Sequence, residues 1–157
     1  MSSHVTPVQF PLTAIFDIQP PVEENYQKLA AALEAQGPPT ITNNILHFIR
    51  IVFLSNNTQL GVITTFDGEW QTYIQDFVDS SADFFNALLP FIAPPDVVKQ
   101  IVPVQKNAVA FGNFVLTKNN PPSDNGQLLM PASWFSAYPT MTVVDILNCQ
   151  EQNNKNT

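Results

Sequence analysis

The stretch from Phe66 to Ile92, FDGEWQTYIQDFVDSSADFFNALLPFI, constrains this chain more than any other. Trp70, Tyr73, Ile74, Phe77, Val78, Phe84, Phe85, Leu88, Leu89 and Ile92 recur at the i, i+3, i+4, i+7 spacing of an amphipathic helix, which a strand cannot produce. Fully burying each large apolar side chain is worth about 1.5–3 kcal/mol, so this helix supplies the largest single block of core. Asp67 stands where an N-cap is expected, with Glu69 favoured beside the positive end of the helix dipole. Pro94 and Pro95 stop the helix.

The remaining elements arrange themselves around it. Pro11 to Gln19 alternates, Leu12, Ala14, Phe16 and Ile18 against Thr13, Ile15 and Asp17, and reads as the first strand. After Pro20 and Pro21, VEENYQKLAAALEAQ reads as a helix with Tyr26, Leu29, Ala30 and Leu33 on one face, Gly37 as its C-cap, and Pro38 and Pro39 beyond. Ile45 to Leu54 is a strand apolar on both faces, with Phe48 and Val52 opposed to Ile49, Ile51 and Phe53, and expects cover on both. A turn at Ser55, Asn56 and Asn57 leads into a third strand, Gln59 to Phe66, antiparallel to the second.

Beyond the long helix the pattern weakens. A short helix is expected at Asp96 to Ile101, a strand or a packed irregular segment at Ala108 to Leu116, and a loop at Lys118 to Gln127. Leu128 to Tyr138 reads as a closing strand weakened by Pro131, followed by a short helix opening near Thr140 or Thr142 and a polar tail. The expected organisation is one domain with a core at about residues 10–148. A flexible arm (1–9), an irregular insertion (93–127) and a tail (149–157) complete it. The element order β-α-β-β-α-β is the split βαβ, or ferredoxin-like, arrangement: an α+β fold with a four-stranded antiparallel sheet and both main helices on one face. The doubly apolar second strand, together with Ile15 on the helix-free face, predicts that two subunits pack these faces as a dimeric barrel.

Charge and cysteine content narrow the function. Only 12% of residues are charged, about half the usual quarter, so much of the surface is uncharged polar or hidden in an interface. Thirteen acidic against six basic residues give a net charge of −7 without a basic run, which argues against nucleic acid and anionic membranes as partners. Cys149 is the single cysteine and is expected to be a partly buried small residue. With two His and five Gly, no zinc set, GxGxxG or Walker loop, GxSxG elbow or HExxH occurs. No N-terminal apolar region and no apolar run of about 18 residues is present, which predicts a soluble, cytoplasmic protein.

The pattern HFIR at His47 to Arg50, FDGEWQTYIQDF at Phe66 to Phe77 and FSAYPTMTVVDI at Phe135 to Ile146 resembles a group of poorly characterised proteins of the dimeric α/β-barrel type. The resemblance implies the ferredoxin-like fold and a homodimer. The superfamily holds monooxygenases, haem-degrading enzymes, peroxidase relatives and proteins without known activity, so it admits haem as a cofactor without assigning one.

Six residues are candidates for a ligand pocket: His47, Arg50, Asp17, Trp70, Trp134 and Tyr138. His47 and Arg50 interrupt an apolar strand and, three residues apart, project to opposite faces. His47 suits a general base or a haem ligand, against the plainer reading of a histidine satisfied at a strand end. Arg50 suits a ligand carboxylate or an ion pair, with Asp17 an obvious partner. Asp76, Asp79 and Asp83 read as a solvated acidic helix face, and Trp70, Tyr73, Phe77, Phe84 and Phe85 as core before pocket. Two functions follow from these residues besides an interaction module built on the acidic face. The first is a binding protein for a small hydrophobic ligand in an aromatic-lined cavity. The second is an oxygenase or peroxidase, haem-dependent or cofactor-independent, working through His47, Arg50, Trp134 or Tyr138.

Overall fold

The computed structural model describes residues 8–37 and 44–155. Residues 1–7 of the expected arm, the Pro38–Pro39 helix stop and the last two residues of the tail lie outside them. Strand β1 (Gln9–Asp17) leads into helix α1 (Val22–Gln36), then β2 (Leu46–Leu54), β3 (Gln59–Asp67), α2 (Trp70–Ile92), α3 (Pro95–Ile101), α4 (Ala108–Lys118) and α5 (Val143–Lys155). A single 3-10 turn at Val104–Lys106 joins α3 to α4. The fold is α+β, with a three-stranded antiparallel sheet in the order β1-β3-β2.

Alternation along the strands sets the two faces of this sheet. Leu12, Ala14 and Phe16 of β1 are buried on the inner face, where Leu60, Thr64 and Phe66 of β3 join them. Helix α2 covers that face with the residues its periodicity selects, Tyr73, Ile74, Phe77, Phe84, Leu88 and Leu89 all being buried. Tyr73 stacks on Phe66 with ring centroids 3.8 Å apart. Tyr26 of α1 meets Phe53 of β2 edge to face, and Leu29 of α1 is fully buried. The outer face carries Ile15, Ile63, Val52 and the exposed Phe48 and Arg50. Phe48 and Arg50 on the outer face of β2 are exposed, so within the chain the cover expected on both of its faces is present on one only.

Several expectations are corrected. Ala108 to Leu116 is neither strand nor irregular segment; it is α4, whose buried stripe Phe111, Gly112, Val115 and Leu116 faces the core. Gly112 concealed the helix in the sequence because glycine is a poor helix former. Packing explains its presence, since a Cβ there would lie 3.2 Å from Ile74 Cγ2. The region 93–127 is therefore no decoration: Ile101, Val104 and the α4 stripe complete the core. Leu128 to Tyr138 forms no strand. The slot beside β1 that a closing strand would take is filled by Asn119 and Asn120, which bond Thr13: its N–H donates to Asn119 Oδ1 and its carbonyl accepts from Asn120 N. With Pro131 lacking a donor, the later segment has no edge to join.

Smaller corrections follow from the same contacts. Gln9, expected in the arm, opens β1 and is buried. The residue preceding α2 is Glu69, and no side chain caps that helix; Asp67 is the last residue of β3 and is engaged elsewhere. Helix α5 runs through Glu151 to Lys155, residues read as tail, and Cys149 on it is exposed. Its start is a capping box, Thr142 Oγ1 accepting from Asp145 N while Asp145 Oδ2 accepts from Thr142 N at 2.9 Å.

Candidate functional site

Three features could host function: an apolar cavity between the sheet and α2, a polar cluster at the end of the sheet, and beside that cluster an open cleft of about 740 Å³ whose lining includes Phe10, Ile45, Asp67, Leu128 and the sequence candidate Trp70. The cavity is about 40 Å³. Its floor is the inner face of the sheet, from Leu12, Ala14, Phe16, Ile49, Ile51, Leu60 and Val62, and α4 closes one side with Phe111 and Val115. Its roof is α2, which breaks over it: Ser81 has non-helical backbone angles (φ −143°, ψ 26°), and Ser80 Oγ donates to the Asp76 carbonyl at 2.8 Å. Tyr73, Ile74 and Phe77 come from before the kink, Phe84, Phe85, Leu88, Leu89 and Ile92 from after it. Ile49, Ile51, Val62 and Phe85 are the half-buried residues of the lining.

Every lining side chain is hydrocarbon except that of Tyr73, whose hydroxyl is 3.3 Å from Thr64 Oγ1. Burial holds this phenol well above its ordinary pKa, outweighing the opposing effect of its hydrogen bond with Thr64. The cavity is larger than the about 10–15 Å³ a water needs, but its walls give water no partners, the condition under which such a space stays dry and accepts an apolar guest.

The polar cluster lies where β1 and β3 are paired Gln9 to Asp67. Both side chains are buried, and their polar atoms are all used. Gln9 Nε2 donates to the carbonyls of Tyr138 and Met141, each at 2.8 Å, while its Oε1 accepts from Ser136 Oγ at 2.8 Å. Asp67 Oδ1 is 2.7 Å from His47 Nε2, and Oδ2 accepts from Val143 N at 2.7 Å. The pairing of β2 with β3 slips between Leu46 and Phe48, and this bulge aims His47 at Asp67. The arrangement is a clasp that grips the segment Ser136 to Val143. Ser136 donates to Gln9 rather than to His47, and among the described residues no nucleophile is hydrogen-bonded to the ring nitrogen that His47 leaves free of Asp67.

None of the six sequence candidates lines the cavity. His47 belongs to the clasp. Arg50 is exposed on the outer face and makes no ion pair among the described residues. It is paired with Ile63 in the ladder, whereas Asp17 is opposite Gln59 and accepts from its Nε2 at 2.8 Å, so the expected Asp17–Arg50 pair does not form. Trp70 is buried against Phe66 and Tyr73, its indole nitrogen without a hydrogen-bond partner near Gly112. Trp134 is half-buried and Tyr138 exposed, both in the C-terminal segment. The residues that do line the cavity were visible in part, as the aromatic stripe of α2. Gln9 and Asp67 were missed because a polar residue at a strand end usually faces water, and only the distant segment at residues 136–143 makes them buried.

Among the described residues no cluster of His, Cys, Asp and Glu could hold a metal ion, and no helix is long and apolar enough to cross a membrane. Comparison with protein-family models, curated proteins and solved structures gives no match.

Proposed function

We propose that this chain binds a small hydrophobic molecule in the cavity between the sheet and α2, as a homodimer of ferredoxin-like subunits. The observation that carries the ligand is the wall itself, seventeen side chains with one hydroxyl among them, and that hydroxyl already engaged. A wall without a free acid, base or nucleophile suits retention rather than catalysis. Because the cavity is small, a guest of more than a few heavy atoms enters by spreading its half-buried lining residues, Ile49, Ile51, Val62 and Phe85. The homodimer reading is supported by the apolar outer face (Ile15, Ile63, Val52 and Phe48) and by the resemblance to dimeric α/β-barrel proteins. The order β1-β3-β2 supports the ferredoxin-like part, being three of the four strands of that arrangement.

Thermal unfolding against a panel of uncharged aromatic and aliphatic compounds tests the ligand. At a hundredfold excess over its Kd a true ligand adds about 2.7 kcal/mol, which at this chain length raises Tm by about 5–10 °C. No shift across the panel removes the ligand. Native mass spectrometry tests the assembly, and a monomer at all concentrations removes the dimer.

A further inference from the structure

We infer that the C-terminal segment, Ser136 to Lys155, is exchanged between two copies of this chain, each copy's segment docking on the other's clasp. This extends the homodimer part of the preceding reading and is independent of the ligand. The clasp grips main-chain atoms, the carbonyls of Tyr138 and Met141 and the N–H of Val143. A second copy offers the same atoms with the same neighbours, so exchange keeps every bond that holds the segment.

The chain before the clasp is built to let go. Leu129 is tied to the body through Asn119 Nδ2, and Ser136 through Gln9. Between them Met130 to Phe135 make no hydrogen bond among the described residues. Among the described residues, five of the eight exposed large hydrophobic side chains fall in this hinge and the segment it carries: Met130, Phe135, Tyr138, Val144 and Leu147. Phe135 is 86% exposed. Folded back on its own body, the segment leaves these side chains in water, and α5 buries no residue at all. A helix of thirteen residues that begins Val-Val and carries three Asn is too short and too poor in helix formers to stand without packing. Exchange stretches the two hinges past each other between the bodies and covers Met130, Phe135 and the start of α5.

The test uses the full chain with Cys149→Ser, a change at an exposed position, and cysteines at Val8→Cys and Pro139→Cys, neighbours through the 2.9 Å bond from Val8 N to Pro139 O. A short bis-maleimide links them, and a denaturing gel reads the product. Exchange gives a covalent dimer; a chain linked only to itself overturns it, and if native mass spectrometry of the same sample shows a dimer, the homodimer reading survives alone. Should neither product form, Phe135→Ala decides by sedimentation. Exchange covers Phe135, which the closed chain leaves in water, whereas the clasp bonds are the same in both forms, so its truncation raises the dimer dissociation constant at least about tenfold. An unchanged constant, or a wild-type chain that stays monomeric, overturns the exchange.

Discussion

Replacing Asp67 with Ala removes two hydrogen bonds at once, from His47 Nε2 and from Val143 N, both at 2.7 Å and both to a carboxylate that is 7% exposed. A hydrogen bond to a charged group contributes about 1.5–3 kcal/mol. The two are coupled through one side chain and His47 lies near enough to the surface to find water, so the expected cost is about 3 kcal/mol rather than the sum of the upper values. Against a total stability of about 5–15 kcal/mol for a domain, that is a large share, and it lowers Tm by about 6–12 °C at this chain length. Urea unfolding followed by tryptophan fluorescence measures the loss. Hydrogen exchange locates it: Val143 and the first turn of α5 lose protection, while Tyr73, bonded to the Glu69 carbonyl at the start of α2, keeps its own. The reverse pattern, loss confined to the start of α2, would return Asp67 to the capping role its sequence position suggests. A loss below about 0.5 kcal/mol, the range of ordinary surface substitutions, with Val143 still protected would refute the clasp.

Three other outcomes are expected. Val115→Ile adds one methylene beside the cavity and raises stability by about 0.8 kcal/mol, while shrinking the Tm shift given by any ligand; destabilisation in urea would mean that the space is not available to a side chain. Tyr73 stays protonated in the folded chain at pH values where the unfolded chain ionises it, so stability falls as pH rises above about 10. Tyr73→Phe flattens that fall in alkaline urea titrations, and an unchanged slope counts against the buried phenol. Asp145 is held below its ordinary pKa by the Thr142 N–H and then by the Thr142 hydroxyl, so its capping contribution is full above the unfolded value and fades as pH drops through the folded one. Amide exchange at Val143 to Ile146 therefore accelerates below about pH 4, and Asp145→Asn removes that acid-dependent part.

What the sequence by itself determined is the set of elements whose signal is local. Helices α1 and α2 follow from their 3.6-residue periodicity, β1 to β3 from alternation and from the turn at Ser55 to Asn57, α3 from its flanking prolines, and the start of α5 from Thr142. In α1, α2 and the strands the buried face is legible because burial and period are the same fact seen twice. Tertiary structure alone decided the rest. Helix α4 carries Gly112 where a Cβ would lie 3.2 Å from the Ile74 side chain of α2, a closeness that no window of sequence registers. The absence of a closing strand follows from Asn119 reaching the free edge of β1 first, across more than a hundred residues of chain. The candidate residues divided in the same way. The aromatic wall of the cavity is written in the stripe of α2, whereas Gln9, His47 and Asp67 became one cluster only when a bulge, a strand pairing and the C-terminal segment met at one end of the sheet. Polar side chains carry no periodic signal of their own. Their role is fixed by which distant backbone groups arrive beside them.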